Sequence, residues 1–195
     1  MADNPSLAGD MLKLVKPWHV GPSRLIARTR VFSLKERWCA SPDDPTRAGM
    51  YVYLDAADWC NVVALTPERK VVMIEQFRAG IAEVTLELAG GIVDAGEAPA
   101  GAGERELREE TGYTGVSRGV IGIVSANPAI LNNRVHTILI TDCRPTHGQA
   151  LDGNEQIATR LVALEELAGL VRRGVIHHAL VVSALHHYAV MGTPR

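Results

Sequence analysis

Between Gly91 and Tyr113 the chain sets a glycine-punctuated loop, Gly91-Ile-Val-Asp-Ala-Gly-Glu97, shortly before a charged run, Arg105-Glu-Leu-Arg-Glu-Glu-Thr-Gly-Tyr113. Pro99 near the start and Gly112 just past the end predict a helix over 99–111, the favoured asymmetry of helix termini. Gly101 and Gly103 weaken its first turn by roughly 1 kcal/mol each relative to alanine. On a helix turning about 100° per residue, Glu106, Glu109 and Glu110 fall within one narrow arc, and Leu107 and Thr111 face another side and pack inward. Like charges at this spacing repel by a few tenths of a kcal/mol per pair. Either the arc is a solvated acidic face paired with Arg105 and Arg108, or its acids converge on a divalent cation such as Mg²⁺, which prefers carboxylate oxygens. Gly90, Gly91 and Gly96 favour the second reading, because they let backbone approach closely and offer a carbonyl to the same cation.

The surrounding pattern fixes the fold class. Strand-like segments read at Arg24–Arg37 and Gly49–Asp55, flanking a proline-rich loop and pairing as an N-terminal hairpin. Asn61–Leu65 and Lys70–Phe77 form a second expected pair around the turn-like Thr66–Arg69, and further strands read at Gly119–Val124, Val135–Asp142 and Ile157–Ala163. A second helix is expected over His177–Val190, with Leu180, Ala184, Leu185 and Tyr188 on its apolar face. A shorter one covers Glu165–Arg173 and ends at Gly174. Strands dominate the first half and helices are interspersed later, which points to α+β.

Composition narrows the partners. With 20 basic and 22 acidic residues among 195, a net charge of −2 excludes a polybasic nucleic-acid or membrane-surface binder. The longest apolar stretches are far too short to span a bilayer. Met1–Asp10 lacks a basic region followed by an apolar run, so no secretory leader is expected. Cys39, Cys60 and Cys143 are odd in number and unpaired in spacing, which suits a reducing cytoplasm.

The segment from Gly91 to Tyr113 resembles the Nudix box, G-x5-E-x7-R-E-U-x-E-E-x-G-U with U apolar. Gly91, Glu97, Arg105, Glu106, Leu107, Glu109, Glu110 and Gly112 match it, and Tyr113 is a loose apolar match. The resemblance implies a Nudix fold, a mixed β-sheet between helices with the box as loop–helix–loop. It also implies Mg²⁺- or Mn²⁺-dependent hydrolysis of a nucleoside diphosphate linked to another moiety. By the same resemblance Glu106, Glu110 and the Gly90 carbonyl hold metal, and Glu109 holds a metal or its bound water. Glu97 and Arg105 form a loop–helix ion pair or help order the carboxylates.

Other segments resemble the ADP-ribose and nucleoside-diphosphate-sugar branch of that family. Val71–Arg78 followed by Leu86–Gly91 looks like the approach to the box, where Arg78 would grip a substrate phosphate. Pro128 lies 16 residues after Gly112, where this branch tends to carry proline, but Ala129 stands in place of the usual glycine. Asn132, Asn133 and Arg134 would read hydroxyls or phosphate, or form a polar turn. The loop Asp152–Ile157 resembles the one that delivers a catalytic glutamate, which makes Glu155, or else Glu109, the expected base. The implied reaction cleaves ADP-ribose to AMP and ribose 5-phosphate. The alternatives are another nucleotide sugar, ADP-glucose or GDP-mannose, and a non-catalytic module that senses ADP-ribose.

In this branch the N-terminal segment, here 1–56, makes a small antiparallel sheet that exchanges across a homodimer, leaving 57–195 as the hydrolase domain. Trp18, Trp38 and Trp59 are either base-stacking or core residues. His177, His178, His186 and His187 lack the partners of a zinc site. The cysteines have no adjacent base that would make them nucleophiles.

Overall fold

The computed structural model describes residues 14–153 and 155–191, and the chain divides into two compact units, 1–56 and 57–195. In the first unit, β1 (His19–Arg28), β2 (Phe32–Ala40) and β3 (Ala48–Ala56) form an antiparallel sheet in the order β1-β2-β3. The single strand expected over Arg24–Arg37 is therefore two strands. Thr29 breaks it: its N–H bonds the Phe32 carbonyl at 2.9 Å, and its hydroxyl donates to the same carbonyl at 2.8 Å. Trp18 meets Tyr51 edge-on with ring centroids 6.0 Å apart, and Arg37 lies 4.2 Å over the Tyr53 ring.

The second unit contains β4 (Trp59–Ala64), β5 (Lys70–Arg78), β6 (Glu83–Leu88), β7 (Gly90–Ile92), β8 (Tyr113–Ser125), β9 (Arg134–Pro145) and β10 (Ile157–Ala163). Its helices are α1 (Pro99–Thr111), α2 (Leu167–Arg172) and α3 (Ala179–Val190), with a 3₁₀ turn at Leu164–Glu166. None is long and apolar enough to cross a membrane, among the described residues. One sheet runs β7-β4-β9-β8 and is mixed, because β4 and β9 are parallel; the other runs β10-β5-β6.

The expected pairing of Asn61–Leu65 with Lys70–Phe77 does not form. The turn itself is real: Thr66 N–H bonds the Lys70 carbonyl at 2.8 Å and Arg69 N–H bonds the Thr66 carbonyl at 3.0 Å. The two strands then diverge into different sheets and share only the bridge Leu65–Val71. Strand β4 takes β7 and β9 as neighbours instead, so its buried backbone is hydrogen-bonded on both edges. Strand β8 begins six residues before the expected Gly119, and irregular register carries it through Gly119. Helix α1 has the expected bounds, and α3 starts two residues late, at Ala179.

Both central strands are buried on two faces and alternate in step. Val62, Ala64, Val72 and Ile74 join Ala102 and Leu107 of α1 in one cluster. Val63, Val71 and Met73 join Leu167, Val181 and Ala184 of the later helices in the other. The two sheets thus act as one layer between α1 and the α2–α3 side, which explains why these strands read as continuous apolar runs. His187 locks α3 to this layer through a 2.8 Å hydrogen bond between Nδ1 and Thr137 Oγ1.

The two glycines of α1 that looked equivalent are not. A Cβ on Gly101 would meet nothing within 4 Å, whereas one on Gly103 would lie 2.7 Å from Ile138 Cγ1, itself fully buried. Gly103 is what lets α1 lie close to the sheet. The same substitution should therefore act with opposite sign in urea denaturation. Gly101→Ala is expected to stabilise by about 0.5–1 kcal/mol, and Gly103→Ala to destabilise by about 1–3 kcal/mol through overpacking.

Candidate active site

The site is built where α1 follows the glycine loop. Gly112 ends α1 at φ 73°, its N–H bonding the Arg108 carbonyl at 2.8 Å. Before the helix, the loop closes on itself: Glu97 N–H bonds the Asp94 carbonyl at 2.9 Å, and Asp94 N–H bonds Glu97 Oε2 at 3.2 Å. Arg105 then ties loop to helix. Its Nε and Nη2 donate to the two Glu97 oxygens, both at 3.1 Å, and Nη2 also reaches the Ile92 carbonyl at 3.1 Å. Its Nη1 donates to Glu106 at 2.8 Å and to Glu109 at 3.3 Å. The hydrogen bond from Arg105 holds Glu97 below the usual carboxylate range, and the same bond, helped by Glu106 and Glu109, pushes Arg105 above the ordinary arginine value.

Close approach explains the glycine pair. A Cβ on Gly91 would sit 2.1 Å from Glu106 Oε1, and one on Gly90 would sit 2.2 Å from the Cys60 carbonyl. Glu110 reaches the same strand, where its Oε2 accepts the Gly90 N–H at 2.9 Å. At 4% exposure, Glu110 is nearly removed from water. Burial pushes its carboxyl up to about 8; the Gly90 bond opposes this, and the charges of Glu106 and Glu155 add to it. Glu106 is also raised, first by burial and against the pull of Arg105.

These are the conditions in which a cation would stabilise the site: hard oxygen donors, close together, with burial and mutual repulsion opposing their ionisation. Among the described residues no three acidic, imidazole or thiol side chains are arranged to hold a metal ion. Arg105 is bonded to Glu106 and Glu109. The donor set therefore fits a hard divalent cation in its chemistry, with Glu106 and Glu110 as side-chain ligands and further donors left to backbone or water.

A cleft of about 320 Å³ opens beside these groups, and Arg78, Gly90, Arg105, Glu106, Glu110 and Glu155 all border it. Glu155 is held there by a reciprocal turn: its N–H bonds the Asp152 carbonyl at 2.9 Å, and Asp152 N–H bonds Glu155 Oε2 at 3.0 Å. Arg78 comes from the end of β5 and is gripped from behind by Glu87, with Nε and Nη2 each 2.8 Å from a carboxylate oxygen.

Three predicted site residues stand apart from this cleft. Glu109 is not among its lining residues and is engaged by Arg105 and by Arg108 at 3.5 Å. Pro128 lies in an exposed turn after Asn127, and Arg134 on β9 donates to Ser125 Oγ at 2.6 Å; neither lines the cleft. Trp59 does line it, with its indole N–H 3.0 Å from Asn61 Oδ1. Sequence reasoning missed Gln76, Asp94 and Glu87. Strand alternation would have found Gln76, two residues before Arg78 on the same face. An acid between Leu86 and Leu88 was the signal for Glu87. Burial pushes the thiols of Cys60 and Cys143 up, to about 11 and about 12, so both stay neutral.

Residues 59–185 match the NUDIX domain family. A Bacillus subtilis (strain 168) protein named ADP-ribose pyrophosphatase is 30% identical over 127 residues, 65% of this chain and 69% of its own length. A Bacillus methanolicus protein named methanol dehydrogenase activator is 27% identical over the same length and coverage. A crystal structure titled ADP compounds hydrolase superposes with a TM-score of 0.78 at 18% identity, covering 92% of this chain and 96% of that one, which shows a shared fold.

The buried carboxyl of Glu110 makes stability depend on pH in a defined direction. Its folded value, about 8, lies above the ordinary 4.5, so the folded state holds a proton that the unfolded chain releases. This contribution is complete below pH 4.5 and is lost as pH rises through 8. In protein dialysed against EDTA, thermal melts should show Glu110→Gln more stable than wild type at pH 8 and indistinguishable at pH 4. Equal pH slopes in the two proteins would contradict the assignment.

Proposed function

The chain belongs to the Nudix family and is a Nudix hydrolase, and from that premise we propose that it cleaves the diphosphate bond of ADP-ribose to AMP and ribose 5-phosphate. The observation that carries this reading is one cleft bordered by the carboxylates Glu106, Glu110 and Glu155 and by the guanidinium of Arg78. Glu106, Glu110 and the Gly90 carbonyl would hold Mg²⁺, or Mn²⁺ in its place. When bound, the cation neutralises diphosphate oxygens and lowers the cost of desolvating them. Arg78 has five N–H donors and spends two on Glu87, which leaves three for an anionic oxygen of the diphosphate. Glu155 takes the proton of the attacking water; Glu109, held by two arginines away from the cleft, is the weaker candidate. Water adds to one phosphorus, the bridging P–O bond breaks, and both products leave as phosphate monoesters. Arg105 keeps the loop and helix together, and Pro128 and Arg134 would meet the substrate beyond the diphosphate. The name of the Bacillus subtilis relative supports ADP-ribose over ADP-glucose or GDP-mannose.

The retained Glu97, Glu106, Glu109 and Glu110 argue against a module that binds without turnover. Incubation with ADP-ribose and Mg²⁺ should yield AMP, and EDTA should abolish it. Glu110→Gln should lose about 10³-fold or more in kcat, about 4 kcal/mol of transition-state stabilisation. Turnover that persists in EDTA, or a fully active Glu110→Gln, would sink the metal assignment.

The segment 1–56 is read as a dimerising element. No described residue among 14–56 is buried, and Val20, Leu25, Trp38, Met50 and Val52 are exposed on its three strands. A small three-stranded sheet in which no described residue is buried has little core of its own, which supports exchange with a second copy. Cys39, Cys60 and Cys143 are free thiols and support a reducing, cytoplasmic setting. Sedimentation equilibrium of the full chain should give the mass of a dimer, and a concentration-independent monomer would overturn this assignment.

A further inference from the structure

Glu87 is an acid that the hydrolysis above does not use. It lies on β6 at 2% exposure, yet both of its carboxylate oxygens are engaged. Oε1 accepts from Arg78 Nε and Oε2 from Arg78 Nη2, each at 2.8 Å, and the Thr85 hydroxyl donates to Oε1. Removing a carboxylate from water is costly, and a buried one persists only when paired and fully hydrogen-bonded. Burial does push Glu87 upward, but the bonds from Arg78 and Thr85 outweigh it and keep the group ionised.

Arg78 stands between two sets of acids. Glu87 grips it directly, and Glu110 and Glu155 line the same cleft as Arg78. After Glu87, these are the acids whose fields act on its charge most strongly. A half-buried guanidinium on a flexible stem will bind whichever carboxylates are offered to it in a two-point geometry. If it closed on Glu110 or Glu155, it would occupy oxygens that a cation needs and turn its own donors away from an incoming anion.

Resting on the hydrolase reading of this cleft, we propose that Glu87 is a positioning residue whose two-point grip holds Arg78 back from Glu110 and Glu155. Those carboxylates then stay open to a divalent cation, and the remaining N–H donors of Arg78 stay open to a substrate phosphate. The substrate feature recognised is an anionic phosphate oxygen. Thr85 completes the grip by fixing the rotamer of Glu87.

A double-mutant cycle read by Mn²⁺ binding, using electron paramagnetic resonance on the full chain, tests this without relying on turnover. Glu87→Gln should weaken Mn²⁺ binding by about tenfold, the scale of a direct coupling between neighbouring charges. Arg78→Gln should bind Mn²⁺ at least as well as wild type. Adding Glu87→Gln to Arg78→Gln should leave Mn²⁺ affinity unchanged, because the competing guanidinium is gone. With ADP-ribose, Glu87→Gln should raise KM by a larger factor than it lowers kcat. Unaltered Mn²⁺ binding in Glu87→Gln, or an equal loss with and without Arg78, would overturn the proposal and leave the pair a structural one. Should Glu87→Gln not fold, Glu87→Asp keeps the charge but shortens the reach; a several-fold rise in KM with native Mn²⁺ affinity is then expected, and an unchanged KM overturns the grip. If wild-type protein does not cleave ADP-ribose, the hydrolytic reading fails separately, since the Mn²⁺ cycle reports on the grip alone.

Discussion

Glu110 is carried out of water by the same helix that seats Leu107 in the core, and much of the site follows from that burial. A carboxylate in this position needs compensation, and the nearest protein donor is the Gly90 N–H at 2.9 Å. For β7 to come so close to β4 and to α1, its first two residues must lack side chains, hence Gly90 and Gly91. For α1 to lie low enough on the sheet, Gly103 must lack one too. Close packing and the placement of the acid are thus one requirement met by three glycines. The energetic consequence is a site that favours a proton on Glu110 until a stronger positive charge replaces it.

The local parts of this arrangement were legible in the sequence because they rest on short-range rules. The bounds of α1 follow from Pro99 and Gly112, and β10 was read at its observed limits because alternation and flanking loops isolate it. The box residues were legible because their spacing places them on one helix and one loop. What failed was non-local. Strands β4 and β5 look like a hairpin from their apolar runs and the turn between them, but runs buried on both faces do not say which neighbour lies on each edge. Pro128 and Arg134 were placed near the substrate by analogy of position; they lie outside the cleft that Arg78 and the acids line, and spacing along the chain does not say where a side chain lies relative to a cleft, which the path of β8 and β9 decides. Glu87 was passed over because a lone acid in an apolar strand gains meaning only when the partner across the sheet, Arg78, is known.

The two arginines of the cleft show how a site rich in acids remains folded before any cation arrives. Arg105 spreads over Glu97, Glu106 and Glu109, serving loop, ligand and helix at once. Arg78 is committed to a single acid through parallel bonds. Their roles diverge accordingly. Arg105 shares its charge among partners that it also orders, so it relieves repulsion along the arc at some cost to the oxygens it occupies. Arg78 is restrained by an acid outside the arc, so it adds positive potential to the cleft without covering the carboxylates there.

This division also explains how a chain with a net charge of only −2 can bind an anion through acidic residues. Bulk charge averages over the surface, whereas the cleft is set by short-range order among six groups in a small volume. With Arg78 tied to Glu87, five acidic residues, Asp94, Glu106, Glu110, Asp152 and Glu155, border the cleft against Arg105 and one arginine already neutralised. The local balance is therefore negative, favouring a divalent cation first. The proposed cation would invert that sign, and the spare donors of Arg78 would then face an anion that the bare site would repel. On the proposed function, the charge layout would set an order of binding, cation before diphosphate. The buried Glu87 is the residue that keeps the layout from collapsing into an internal ion pair.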